Sequence, residues 1–93
     1  MIVSFKDADA QRLWETGKCR RIPANLRRVA ARKLAILNAA VALENLLVPP
    51  GNMLEALTKD RKGQHSIRVN DQYRVCFVWK EGNALNVEIV DYH

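Results

Sequence analysis

The sequence predicts an α+β domain, with two helices packed on one face of a small, mainly antiparallel sheet. Three observations predict it. Apolar residues recur at spacings of three and four between residues 23 and 47, residues 64–77 alternate with a period of two, and Pro49-Pro50-Gly51-Asn52 separates the two regimes. The 93 residues are enough for one compact core, so residues 1–93 are read as a single domain with the order β-α-α-β-β-β.

Ile2 to Phe5 favours extended backbone and is read as the first short strand. Asp7 or Asp9 starts a short helix that runs to about Thr16, with Gly17 closing it and Leu13 and Trp14 as its buried residues. Lys18 to Ile22 is a basic loop. Pro23 suits the first turn of the second helix, where a missing N–H costs nothing. That helix is expected to run from Pro23 to Leu47, with Leu26, Val29, Ala30, Lys33/Leu34, Leu37, Ala40, Val41 and Glu44 on its apolar side. The following prolines end it.

Met53 to Leu57 is ambiguous and Thr58 to Gly63 is a polar turn. Three strands are expected at 64–69, 73–79 and 84–92. Strand parity fixes the first hairpin. A two-residue loop would pair Ile67 with Arg74 and mix the faces, whereas the three-residue loop Asn70-Asp71-Gln72 pairs Ile67 with Val75 and Arg68 with Arg74. Both arginines then project from the more polar face. Glu81-Gly82-Asn83 makes the second turn.

The net charge is +5, and its distribution is uneven. Lys18, Arg20, Arg21, Arg27, Arg28, Arg32 and Lys33 place seven of fifteen basic residues in sixteen positions, with no acidic residue between Thr16 and Leu43. Such a cluster attracts a polyanion or a strongly acidic protein. Lys59, Arg61 and Lys62 form a second basic group in the turn before the hairpin, read as either solvated or gripping an RNA backbone. Two cysteines, Cys19 and Cys76, without CxxC spacing argue against a disulfide framework or structural zinc and for reduced thiols in the cytoplasm. Neither a secretory leader nor an apolar run long enough to span a bilayer is expected, so no membrane partner is assigned.

Arg68 and Arg74 are the strongest individual candidates. Like charges opposite one another in a sheet are unfavourable, and paired guanidinium N–H donors suit phosphate. The alternative is an ion bridge from Arg68 to Glu88 or Asp91. Asp91, Tyr92 and His93 add a carboxylate, a phenol and an imidazole able to move a proton near neutral pH. Anion holders beside proton-transfer groups are what phosphodiester cleavage requires, and RNA is the expected substrate. His65, on the apolar side of its strand, is read as structural, and Phe77, Trp14 and Trp79 as core.

Met1-Ile2-Val3-Ser4-Phe5, the block Gly63-Gln64-His65-Ser66-Ile67-Arg68-Val69-Asn70-Asp71-Gln72-Tyr73-Arg74 and the closing Asp91-Tyr92-His93 resemble the HigB toxins, the plasmid maintenance killer branch of the RelE superfamily. The resemblance implies a RelE-like fold, a HigA-like helix-turn-helix antitoxin as partner, and operator DNA contacted only through that complex. It also implies metal-independent cleavage of messenger RNA on the 70S ribosome, by attack of the ribose 2′-hydroxyl on the adjacent phosphate.

Carried over by position, Arg74 holds the scissile phosphate, Arg68 supports it, and Asp91, Tyr92 and His93 orient RNA and move protons. Relatives place a histidine and a lysine before the hairpin. Here Glu55 and Thr58 stand in those positions, Lys59 is one residue late, and Glu55 becomes a candidate base. The competing reading is a basic binding module that obstructs ribosomes or acts as co-repressor without cutting RNA.

Overall fold

The computed structural model describes residues 1–91; Tyr92 and His93 lie outside the described residues. Helix α1 (Ala8–Thr16) begins where Asp7 accepts a hydrogen bond from the Asp9 amide at 2.9 Å. It ends at Gly17, whose φ of 77° lets its amide reach the Leu13 carbonyl. Leu13 is buried as expected, but Trp14 is 36% exposed.

Helix α2 (Ala24–Ala39) ends eight residues earlier than the apolar stripe suggested, at Ala39 rather than Leu47. A side chain causes the break. The Asn45 carboxamide oxygen accepts the amides of Val41 and Ala42, both at 3.0 Å, which a continuing helix would have bonded to carbonyls four residues back. Leu43–Leu47 then forms a separate 3-10 turn, which buries Leu46 and leaves Val41 78% exposed.

Two further 3-10 turns, Pro50–Asn52 and Lys59–Arg61, flank the short strand β1 (Glu55–Ala56), an element absent from the sequence reading. Strands β2 (His65–Arg68), β3 (Tyr73–Lys80) and β4 (Asn83–Asp91) follow. The four form one antiparallel sheet in the order β1-β2-β3-β4. The expected N-terminal strand is reduced to isolated parallel bridges, Ile2 to Ala84 and Phe5 to Val87, along the outer edge of β4.

The β2–β3 register is the one the three-residue loop demanded, Ile67 opposite Val75 and Arg68 opposite Arg74. One face of the sheet thus presents Ile67, Val75, Phe77 and Ile89 to Leu13, Ala30, Leu34 and Leu37 of the helices. Between the pairs Cys76–Glu88 and Val78–Leu85 the β3–β4 register slips by one residue, with Asn86 at φ 52°. This β-bulge keeps Val87 and Ile89 in the core while turning Glu88 to the other face.

Lys33, on the apolar side of α2, is buried. Its ammonium donates to the side chain of Asn52, which in turn donates to the carbonyls of Leu46 and Val48 at 3.1 and 3.3 Å. A buried cation therefore ties α2 to the turn that leads into β1. No helix among the described residues is long and apolar enough to cross a membrane.

Candidate active site

Strand alternation places Ser66 and Arg68 of β2, Arg74 and Cys76 of β3, and Glu88 and Val90 of β4 on the face turned away from the helices. Glu55, in register with Ser66, joins them from β1. Arg68 and Arg74 are directly opposite one another. The hairpin turn supplies partners for both. Arg68 pairs with the Asp71 carboxylate and touches the Met53 sulfur at 3.6 Å, while Arg74 donates to the carbonyls of Asn70 and, at 3.1 Å, Tyr73. The ion bridge from Arg68 to Glu88 or Asp91 is not the one the fold builds. Glu88 pairs with Arg61 instead.

Two hollows lie beside residues of this face. One, of about 450 Å³, is lined by Leu57, Thr58, Lys59, Asp60, Arg61, Val90 and Asp91. The other, of about 300 Å³, is lined by Met53, Leu54, Glu55 and Arg74. Arg74 and Glu55 thus share one hollow, while Thr58, Lys59 and Asp91 share the next. Asp91 stands opposite Tyr73 at the end of β4 and accepts from the Gln72 side chain at 2.9 Å. Tyr92 and His93, the remaining candidates for proton transfer, lie outside the described residues.

The basic residues divide between two sides of the sheet. Lys59, Arg61 and Lys62 belong to the arginine side. Arg28 and Arg32 are exposed on α2, across the sheet from Arg68 and Arg74. Arg21 is clamped by Asp7 and Asp9, and Arg27 donates to the Ile22 carbonyl at 2.9 Å. Lys18, Arg20 and Arg27 join Arg12 and Cys19 around a cleft of about 300 Å³.

Sequence reasoning missed Ser66 and Cys76, which parity from Arg68 and Arg74 reaches, and it offered Glu88 only as a partner for Arg68; the bulge at Asn86 sets Glu88 beside Cys76 instead. Both cysteines are free and buried. Burial pushes the Cys76 thiol up to about 11, against the opposing pull of the Arg61 guanidinium. His65 packs against Phe77 with ring centroids 6.2 Å apart, on the core face as expected.

Residues 3–93 match the family model described as the RelE-like toxin of the type II toxin–antitoxin system HigB. The chain belongs to the HigB-like toxins. It is 46% identical over 87 residues to toxin HigB-1 of Vibrio cholerae, covering 92% of each chain. It is also 38% identical over 91 residues to an uncharacterised protein of Haemophilus influenzae, covering 96% of this chain and 88% of the other. Among solved structures, a chain from the YoeB–YefM complex of Staphylococcus aureus superposes with a TM-score of 0.62 at 13% identity, covering 100% of this chain and 98% of that one. That likeness establishes the RelE-like fold. This HigB-like chain is accordingly the toxin half of a type II pair.

In this HigB-like fold the turn before β2 carries Thr58 and then Lys59, the latter at φ 58°. Both residues border the larger hollow. The left-handed backbone at a non-glycine residue costs about 1 kcal/mol, and such strain gathers at functional sites.

Proposed function

We propose that this toxin is a ribosome-dependent endoribonuclease that cuts messenger RNA in the decoding site. The observation that carries the reading is the in-register pair Arg68–Arg74 on the sheet face turned away from the helices, beside hollows bordered by Glu55, Lys59 and Asp91. A sheet face that sets two guanidiniums together tolerates repulsion that a bound phosphate would relieve.

In this reading Arg74 binds the scissile phosphate and Arg68 stabilises the charge that builds on its oxygens. Lys59 takes the place of the lysine that relatives carry one residue earlier. Glu55, Asp91, Tyr92 and His93 form the group from which the proton acceptor and donor are drawn. The ribose 2′-hydroxyl loses its proton and attacks phosphorus. The 5′ oxygen departs with a proton, leaving a cyclic phosphate and a free 5′-hydroxyl. Family membership supports a cytoplasmic toxin neutralised by a HigA-like helix-turn-helix antitoxin, which carries the complex to operator DNA. The exposed Arg28 and Arg32, with Lys18 and Arg20, are assigned to ribosomal RNA by their charge.

The test is translation of a defined message with purified 70S ribosomes, mapping 5′ ends by primer extension. New ends at the decoding site that disappear with Arg74→Ala are expected. Stalled translation on intact message would replace cleavage with obstruction.

A further inference from the structure

On the arginine face Cys76 is 0% and Ser66 1% exposed, although both helices pack on the other side of the sheet. The guanidinium of Arg61, in the turn 57–62, lies near enough to Cys76 to act on its thiol. From this turn Arg61 donates to Glu88 of β4 at 3.1 Å and to Gln64 at 3.2 Å. Glu88 lies beside Cys76 in register, its side chain only 13% exposed, and Lys6 approaches it from the other side at 3.7 Å. Among the described residues little else fastens the turn. Thr58, Lys59, Asp60 and Lys62 are exposed, and only Leu57 is buried. Leu57 and Gln64 tie its ends by a backbone hydrogen bond of 2.9 Å.

We propose that Glu88 is a positioning residue, which through Arg61 clasps the 57–62 turn onto the sheet and sets Thr58 and Lys59 against Val90 and Asp91 across the larger hollow. The role rests on the ribonuclease reading above. A clasp of this kind acts through placement, since a reacting or charge-stabilising group displaced by about 1 Å can lose as much as a hundredfold in rate. It also gives Arg61 a different task from its neighbours. Its guanidinium is spent on a carboxylate inside the protein, so it shapes the groove and does not grip phosphate. Loss of Glu88 should open the turn without unfolding the domain, because the Arg61 side chain is already 34% exposed and water can receive it.

Cys76, buried beside Glu88 and near Arg61, reports whether the clasp is closed. In a Cys19→Ser background, N-ethylmaleimide labelling of Cys76 and message cleavage on 70S ribosomes are measured for Glu88→Gln, Arg61→Met and the double variant. Labelling is expected to quicken at least tenfold in each, and kcat to fall roughly tenfold with KM for ribosomes within about twofold. The double variant should be no worse than either single, as for two ends of one link. Should Glu88→Gln misfold on a thermal melt, Arg61→Met carries the same comparison. Unchanged labelling overturns the clasp. So does a KM that falls in Glu88→Gln and rises in Arg61→Met, which would make Arg61 an RNA contact. A parent protein that cuts no message removes the ribonuclease reading and the positioning role with it. The labelling arm then still reports separately whether Glu88 holds the turn.

Discussion

Arg68 and Arg74 stand opposite each other across β2 and β3, and the turn that joins those strands holds both, through Asp71 on one side and the Asn70 and Tyr73 carbonyls on the other. Their repulsion costs a few tenths to about 1 kcal/mol, and truncating either side chain relieves it. Arg74→Ala should therefore melt in urea within about 1 kcal/mol of the parent while losing message cleavage. A variant that is folded and still cuts at the parental rate would remove Arg74 from the site.

Asp71 tests the other guanidinium. Its side chain is 96% exposed, so its pair with Arg68 adds at most about 1 kcal/mol to stability. The same carboxylate competes with phosphate for Arg68. Asp71→Ala is expected to keep the parental melting temperature, bind single-stranded RNA more tightly, and steepen the salt dependence by about 0.7 in log–log slope. Titration of a labelled oligonucleotide at several salt concentrations measures it. A parental slope would show that Asp71 does not withhold Arg68 from phosphate.

The hairpin register was legible because only one loop length keeps Ile67 and Val75 on the core side while pairing Arg68 with Arg74. The α1 boundaries were legible because Asp7 and Gly17 cap through local geometry alone. What escaped depends on contacts distant in sequence or on a single competing side chain. The α2 stripe continued through Val41 and Glu44 on paper, and the Asn45 carboxamide broke it. Strand β1 has two residues and exists because β2 offers an edge. Lys33 fitted the apolar spacing, but its burial depends on Asn52, nineteen residues on. Glu88 was offered as a partner for Arg68, and its place beside Cys76 became visible only once the bulge at Asn86 fixed the second register. For the site, parity found the two arginines, and only tertiary structure showed that Lys59 borders the hollow and that Arg61 faces a carboxylate.

Cys76 imposes a pH dependence on stability. Its thiol is raised from 9.0 to about 11 in the folded protein, first by burial. Between those values the unfolded chain has lost a proton that the folded chain keeps, so stability is intact below pH 9 and is lost as pH rises toward 11. The amount is on the order of 2–3 kcal/mol. Lys33 works in the opposite sense. Burial, with Arg32 nearby, holds its ammonium below 10.5, so its contribution to stability increases as pH rises toward that value. Urea melts at pH 8 and 10.5 should show a net decline in the parent and a smaller one, or a reversal, in Cys76→Ala. An equal decline in both would assign the alkaline loss to other groups.

Lys59 separates stability from function. Its φ of 58° is backbone that glycine adopts readily, and its side chain is exposed, so Lys59→Gly removes strain and discards no packing. The greater freedom of a glycine in the unfolded chain offsets part of that gain. The net result should be a variant no less stable than the parent, within about 1 kcal/mol, in a urea melt. The same change deletes a cation that borders the larger hollow with Arg61 and Asp91. Cleavage by Lys59→Gly should fall by at least tenfold, the ordinary worth of a positioned charge in such a site. Lys59→Arg, which keeps the charge and the strained backbone, should retain most of the activity. Full activity in the glycine variant would return the cationic role to another residue and leave the left-handed turn a structural necessity alone.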